Sequence, residues 1–294
     1  TTVAASDLID LYTIASTTGT TGTIDASNVH TITGSVANAN TVYAQTSTFT
    51  GLGNENITIS GSGITQAVGA LNTLNGNTTG NIDATNIATL TGDIADLNTA
   101  YAAGATTGDG ISNLGNEAIT VNDTSVTSVS ALTTLDGNTT GQVNATAVNS
   151  FTGSVSDLNT MYSGAVSSGN GIINLGDEAI AISDTSISDA SVLVTLNTHT
   201  SGTINATSAA AITGTLSNLK SVYDAKSDSG NGFSNLGAET LVVSDTGSVA
   251  ATDLTTVATA NGSGTLAASG ITTITGTADQ VIAAYASGVV DIGL

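Results

Sequence analysis

The sequence predicts a solenoid of tandem βα repeats, and three observations lead to this prediction. A glutamate followed by a short β-branched run recurs at an almost fixed interval along the chain. A series of tyrosines recurs at nearly the same interval. Within each interval the apolar residues change from the spacing of a short strand to that of one helix face. A fixed period near 60 residues is typical of stacked structural units rather than of one closed core.

The glutamate blocks set the period. The chain contains only four glutamates, and they lie 62, 61 and 61 positions apart: Glu55, Glu117, Glu178 and Glu239. Five of the six tyrosines follow at intervals of 58, 61, 61 and 62: Tyr43, Tyr101, Tyr162, Tyr223 and Tyr285. Two rare residue types that keep the same period indicate genuine structural repeats of about 61 residues.

Each repeat is predicted to contain two short βα halves. The first half begins with the strand that follows the glutamate and continues through an Asp-Thr pair. A helix is then indicated by apolar residues three positions apart, as in Val126, Val129, Leu132 and Leu135. The Asp or Thr just before this helix is a reasonable N-cap.

The second half opens with a shorter strand that ends in Asp or Asn. These strands are at residues 24–26, 82–84, 143–145 and 204–206. The following helix is indicated by Leu90, Ile94, Leu97 and Tyr101, which form one stripe on a 3.6-residue helix. Threonines occupy the expected N-cap positions of these helices: Thr91, Thr152, Thr213 and Thr275.

Alternating strands and helices at a fixed period predict parallel strands in a right-handed coil, since each half can bury its apolar face only against its neighbours. An all-β solenoid is the alternative, because Thr, Val and Ile favour strands. Residues 1–294 are predicted to form one continuous array cut from a longer chain. The approximate units are 1–53 (partial), 54–115, 116–176, 177–237 and 238–294. No capping repeat is visible, so we expect flanking repeats or head-to-tail self-association.

The composition excludes several classes of partner. The 294 residues carry 23 acidic residues and two lysines, which gives a net charge of −21 and a pI near 4.1. Nucleic acids and anionic membranes are bound through Lys and Arg, so neither is an expected partner. No apolar run is long enough to insert into a membrane. The acidic surface instead attracts cations, and divalent cations are candidate partners.

The residues that usually perform catalysis are scarce. The chain has no cysteine and two histidines, His30 and His199, which lie in different phases of the repeat. Acid–base or nucleophilic catalysis needs a convergent cluster of different residues with tuned pKa values, and no such motif is present. We therefore expect surface or loop histidines and no enzymatic activity.

Acidic positions that recur in phase are the candidate ligands for a cofactor, and calcium is the only cofactor considered. Calcium prefers carboxylate, Asn and backbone carbonyl oxygens. The candidate ligands are Glu55, Glu117, Glu178, Glu239, Asp123, Asp184 and Asp245. The simpler interpretation, which we favour, is that these residues lie in solvated turns and helix caps, because exposed carboxylates about 10 Å apart repel each other only modestly in salt.

Several phrases of the sequence resemble known repeats. They are Ile-Thr-Gly-Thr-Ala-Asp at 274–279, Val-Ser-Asp-Thr at 243–246 and Asn-Leu-Gly-Asp-Glu-Ala-Ile at 174–180. In style they are similar to the degenerate tandem repeats of very large bacterial surface or secreted proteins, especially of marine cyanobacteria, which are adhesin-like, surface-layer-like or filament-forming. This resemblance covers nearly the whole chain and implies an extracellular or cell-surface location.

The expected function follows from the repeats, the charge and this resemblance together. We expect an acidic structural protein that forms a stiff rod, filament or surface layer without catalysis. The alternative is an adhesion or ligand-binding module that uses one face of the solenoid.

Overall fold

The computed structural model describes residues 1–19, 22–104, 109–165, 170–226 and 231–290. Within these residues short strands alternate with ten helices, and every strand pair is parallel. The predicted βα repeat solenoid is therefore confirmed, and the all-β alternative is wrong. The helices are α1 (Ala5–Thr17), α2 (Val36–Tyr43), α3 (Val68–Asn77), α4 (Ile94–Ala103), α5 (Val129–Asn138), α6 (Val155–Gly164), α7 (Ser191–His199), α8 (Leu216–Asp224), α9 (Ala251–Ala260) and α10 (Ala278–Ala286).

The described residues form two compact units. The first contains the described parts of 1–123 together with 131–147 and 170–174. Its sheet 1 has the order β1 (Thr2–Ala4), β3 (Thr31–Gly34), β5 (Asn56–Ile59), β7 (Asn81–Asp83) and β9 (Gly110–Ser112). Its sheet 2 has the order β6 (Ile64–Ala67), β8 (Ile87–Gly92), β10 (Ala118–Val121), β12 (Gln142–Asn144) and β14 (Gly171–Ile173), and β2 (Ile24–Asp25) pairs with β4 (Phe49–Thr50).

The second unit contains residues 124–130, 148–165 and the described parts of 175–290. Its sheet 3 has the order β11 (Ser125–Val126), β13 (Ser150–Gly153), β15 (Ala179–Ile182), β17 (Thr203–Asn205) and β19 (Gly232–Ser234). Its sheet 4 has the order β16 (Ser186–Ile187), β18 (Ala211–Gly214), β20 (Thr240–Val243), β22 (Thr265–Ala267) and β24 (Val289–Val290). A two-stranded sheet pairs β21 (Gly247–Ala250) with β23 (Ile271–Thr275).

The strand register defines the size of one coil. In sheet 3 Val126 pairs with Phe151, 25 positions later, and Phe151 pairs with Ile180, 29 positions later. Ile180 then pairs with Ile204, 24 positions later, and Ile204 with Phe233, again 29 positions later. Neighbouring strands of a sheet therefore belong to successive coils of 24 to 29 residues, and each 61-residue repeat contains two coils.

The strands that follow the four glutamates, β5, β10, β15 and β20, are called the glutamate strands below. Each one is the central strand of its five-stranded sheet. The residues left over after two coils lead the chain into the next sheet. In the second unit Ile180 lies in sheet 3, and Ile187, seven positions later, lies in the first strand of sheet 4.

The core lies between the sheets and the helices. The glutamate strands alternate inward and outward residues, so Ile57 and Ile59 are buried while Thr58 between them faces outward. The helices contribute fully buried leucines: Leu71, Leu74, Leu97, Leu132, Leu135, Leu158, Leu193, Leu196 and Leu219. Burial of one such side chain contributes about 1.5–3 kcal/mol, so a core made of small aliphatic residues compensates for the scarcity of aromatics.

The repeat contains more strands than the two per unit that the sequence predicts. Residues expected to begin the second-half helices, such as Leu90 and Phe151, lie in β8 and β13 instead. The helices begin four residues later, at Ile94 and Val155. A β-branched or aromatic run that ends in Thr-Gly continues the sheet, and this tertiary pairing overrides the helical spacing of the apolar residues.

The predicted N-caps are consequently wrong. Four threonines, Thr91, Thr152, Thr213 and Thr275, lie in strands. The side chains that cap the helices are two residues further on: Ser154, Thr215 and Thr277 each accept a hydrogen bond from a first-turn backbone N–H. Asp93 is the N-cap residue of α4 without a side-chain capping bond.

A glycine at the contact between coils tests this packing. A Cβ added at Gly141 would lie 2.1 Å from the backbone oxygen of Glu117, whereas a Cβ at Gly137 meets nothing within 4 Å. We expect Gly141→Ala to lower the free energy of unfolding by about 3 kcal/mol, because the two backbones must separate. Gly137→Ala, in the last turn of α5, is the matched control and should be neutral or stabilising by up to about 1 kcal/mol. Urea unfolding of both variants measures the difference, and equal stabilities would contradict the close packing.

Candidate functional site

The four glutamates are buried, with 0 to 3% of each residue exposed. Each precedes its glutamate strand, and strand alternation places Glu55 on the same inward face as Ile57 and Ile59. The expectation that these glutamates lie in solvated turns is therefore wrong. A carboxylate in this position needs hydrogen-bond donors, because burying an unpaired polar group is costly.

A tyrosine from the preceding second-half helix supplies the first donor. The hydroxyl groups of Tyr43, Tyr101, Tyr162 and Tyr223 donate to the Oε2 atoms of the four glutamates in order, at 2.8, 3.0, 2.8 and 2.5 Å. The backbone N–H of the glycine two residues before each glutamate also donates to Oε2, at 2.8 to 2.9 Å. Each carboxylate is thus held by one side chain from a helix and by its own turn.

A threonine of the following coil fixes the backbone of the same glutamate. The Oγ1 atoms of Thr78, Thr139 and Thr200 donate to the glutamate carbonyl oxygens at 2.7, 2.7 and 3.0 Å. Each threonine hydroxyl also accepts from the N–H of the glycine two residues later. The resulting Tyr–Glu–Thr cluster joins three successive coils, because its members come from three different turns of the chain.

The fourth cluster uses an asparagine where the other three use threonine. Asn261 Nδ2 donates to the carbonyl oxygen of Glu239 at 2.8 Å. Its Oδ1 atom accepts from the Tyr223 hydroxyl at 2.8 Å and from the Glu239 N–H at 3.2 Å. The amide therefore reproduces the threonine contact and adds a direct bond to the tyrosine.

The electrostatics of the cluster favour a protonated tyrosine. Burial, together with the adjacent glutamate carboxylate, raises the pKa of Tyr43, Tyr101, Tyr162 and Tyr223 above the ordinary value near 10. The second carboxylate oxygens of Glu55 and Glu178 are buried without a hydrogen-bond partner in the described structure. The tyrosines thus act as hydrogen-bond donors and not as nucleophiles or bases.

The in-phase aspartates cap helices, but not the helices that the sequence suggests. Each was expected to cap the helix that follows it. Instead the Oδ2 atoms of Asp123, Asp184 and Asp245 accept from the first N–H of a helix 29 residues earlier, in Ile94, Val155 and Leu216, at 2.8, 2.7 and 2.6 Å. A carboxylate at a helix N-terminus satisfies an orphan donor and interacts favourably with the helix dipole.

The calcium candidates are not brought together by this arrangement. Glu117 precedes β10 and Asp123 follows it, so about 20 Å of extended chain separates them. In the part of the chain that the structure describes, no three His, Asp or Glu side chains are grouped so that they could hold a metal ion. The calcium site therefore stays a prediction.

Two further recurring groups are missed by the sequence analysis. Asn113, Asn174 and Asn235 adopt positive φ angles of 63 to 64°, a conformation that Asn tolerates better than most residues. Their side-chain amides donate to the strand-end residues Asp83, Asn144 and Asn205 at 2.8 to 3.0 Å. His199 is the last residue of α7 rather than a loop residue, and its ring stacks on Tyr162 at a centroid distance of 5.5 Å.

One groove lies along α6 and α7, with a volume of about 520 Å³. Its polar lining includes the hydroxyl groups of Ser156, Thr160 and Ser186 and the carboxylate of Asp184. The lining contains no histidine, lysine or aromatic residue. The groove thus provides hydrogen-bonding groups without a group suited to proton transfer near neutral pH.

The fold and the recurring clusters define a βα repeat solenoid whose coils are joined by buried polar groups. No protein-family model, no curated protein and no solved structure matches this chain. Among the described residues, no helix combines the length and apolar character needed to cross a membrane.

The buried tyrosines predict loss of stability at alkaline pH. Because the pKa of the four cluster tyrosines is raised in the folded state, the stabilisation is fully present below the unfolded pKa near 10 and is lost as the pH rises past it. Tyr162→Phe should weaken this pH dependence and cost about 1–3 kcal/mol at pH 7, since Glu178 loses a donor. Denaturant unfolding at pH 7 and pH 11 measures both effects.

The control for this experiment is Tyr12→Phe, in α1, which should change stability by less than about 0.5 kcal/mol. Equal losses in the two variants, or a stability that does not change between the two pH values, would contradict the role of the cluster.

Calcium should give no specific stabilisation. The glutamate carboxylates already accept from Tyr and Gly, and the aspartates already cap helices, so a cation would have to displace these donors. We expect equal melting temperatures in calcium, magnesium and sodium chloride of the same ionic strength. A higher melting temperature in calcium that disappears in the double variant Glu117→Gln, Asp123→Asn would establish the calcium site instead.

Proposed function

We propose that the chain is a structural segment of an extracellular repeat protein, a stiff scaffold in a rod, filament or surface layer without catalysis of its own. The observation that carries this proposal is the recurrence of the Tyr–Glu–Thr cluster in phase with the repeat. Four times the chain uses its rarest residues for the same purpose, and that purpose is to hold one coil against the next.

The hydrogen bonds of the cluster suit a mechanical role. Around Glu178 the links come from Tyr162, 16 residues earlier, and from Thr200, 22 residues later. Asp184 adds a link to the start of α6, 29 residues earlier. Because each link joins different coils rather than neighbours in sequence, bending or opening a coil requires several buried bonds to break together.

The surface supports an extracellular setting. A net charge of −21 keeps long molecules apart in solution, and two lysines leave trypsin almost no cleavage sites. The resemblance of the repeats to bacterial surface and secreted proteins points to the same location. These features also favour a passive scaffold over a partner for nucleic acid or acidic lipids.

A ligand-binding or adhesion module is the second candidate, and the groove along α6 and α7 favours it. Its hydroxyl groups and Asp184 could bind a polar ligand. Its lining offers no aromatic ring on which a sugar could stack. A glycan array with strong, specific binding would place this candidate first.

The scaffold proposal predicts a length that scales with repeat number. We expect small-angle scattering and negative-stain images of this segment to show elongated particles. A variant with residues 116–237 duplicated should lengthen them without changing their cross-section. Compact particles in both variants would contradict the proposal. The head-to-tail self-association predicted from the sequence stays a prediction, and sedimentation at increasing concentration tests it.

A further inference from the structure

Tyr285 differs from the other tyrosines of its series. It lies in α10 at the position that Tyr43, Tyr162 and Tyr223 occupy in their helices. Those three are 5 to 6% exposed, whereas Tyr285 is 50% exposed. The four glutamates of the chain are already paired with other tyrosines, so none remains for the Tyr285 hydroxyl.

The strand before α10 is also incomplete. In the four five-stranded sheets the second strand pairs with the central glutamate strand, and the register is constant. The pairs are Ile32 with Ile57, Leu90 with Ile119, Phe151 with Ile180, and Ile212 with Leu241. The strand β23 holds the same place, since Ile274 precedes Tyr285 by eleven residues as Ile212 precedes Tyr223. In the described residues β23 pairs only with β21.

The exposed edge of β23 is accompanied by exposed apolar side chains. Ile274 is half-buried, whereas its counterparts Ile32, Leu90, Phe151 and Ile212 are at most 1% exposed. Ile282 on α10 is 66% exposed. Three different features, a tyrosine hydroxyl, a strand edge and an apolar face, therefore share one deficiency. In the other repeats one segment satisfies all three, and it has the pattern Leu-Gly-x-Glu-x-Ile-x-Ile.

We propose that β23 and α10 form a docking site for an extended segment of this pattern, supplied by a further repeat of the same type. The segment adds to the free edge of β23 as a parallel third strand. Its glutamate accepts from the Tyr285 hydroxyl, and its first inward isoleucine packs against Ile274. Backbone hydrogen bonds along the strand provide affinity, and the glutamate provides specificity.

A second copy of this chain does not supply the missing segment. Its four glutamate strands are already the central strands of their own sheets. Copies that associate head to tail would leave Tyr285 without a carboxylate and β23 without its neighbour. Since the scaffold proposal does not depend on this site, failure of the docking experiment would leave that proposal intact.

The test uses a peptide with the chain's own residues 174–184, Asn-Leu-Gly-Asp-Glu-Ala-Ile-Ala-Ile-Ser-Asp. Calorimetry measures its binding in about 0.15 M salt, which screens the repulsion between the acidic partners. Tyr285→Phe should weaken binding about tenfold or more, because a buried carboxylate loses a donor. The control Tyr12→Phe, in α1, should not change it.

A second peptide with Gln at the glutamate position completes the comparison. It should bind weakly and with equal affinity to the wild-type protein and to the Tyr285→Phe variant. Equal effects of Tyr285→Phe on both peptides, or no binding of the glutamate peptide at millimolar concentration, would overturn the proposal.

Hydrogen exchange locates the site independently. The bound peptide should slow exchange of the amides at 271–275 in β23 and leave exchange in α1 unchanged. If these amides are instead protected without peptide, in step with concentration-dependent sedimentation, copies of the chain cover this face and the proposed occupant is wrong.

Discussion

A carboxylate buried without a lysine or arginine beside it must be satisfied by neutral donors, and the arrangement of each repeat follows from this requirement. The chain has two basic residues for 23 acidic ones, so ion pairing is not available to its four buried glutamates. A tyrosine hydroxyl and a glycine N–H take the place of a cation. These donors must come from a helix on one side and from the turn itself, which fixes how each coil is placed against its predecessor.

The same requirement explains the length of the repeat. Two coils of 24 to 29 residues account for most of the 61 positions, and the remaining residues carry the chain into a new sheet. Because this step follows each glutamate strand, every glutamate strand is the centre of its own sheet. One buried cluster per sheet therefore sets both the period and the place where a sheet begins. The period does not correspond to a whole number of identical coils, and simple counting of coils from the sequence would miss this.

The sequence predicted the fold better than the cluster. The period and the two helices per unit could be predicted because they depend on apolar spacing. Short strands such as β8 could not be predicted, because β-branched residues before a glycine have similar spacing in a strand and in a helix. Burial of the glutamates was missed because Glu is usually exposed. A signal was nevertheless present, since Tyr162 and Glu178 stand 16 residues apart, as do Tyr101 and Glu117, and Tyr223 and Glu239.

The distribution of acidic residues shows a division of roles that charge counting conceals. The glutamates are buried and serve cohesion between coils, while the aspartates at the far end of the same strands cap helices of earlier coils. Asp is the shorter side chain and suits a cap, whereas Glu is long enough to reach a tyrosine on a neighbouring helix. The recurring acidic groups are therefore internal connections, which explains why regular acidic repeats can be present without a metal site. A chain of this composition gains its rigidity from neutral donors, and its surface remains free to be strongly acidic.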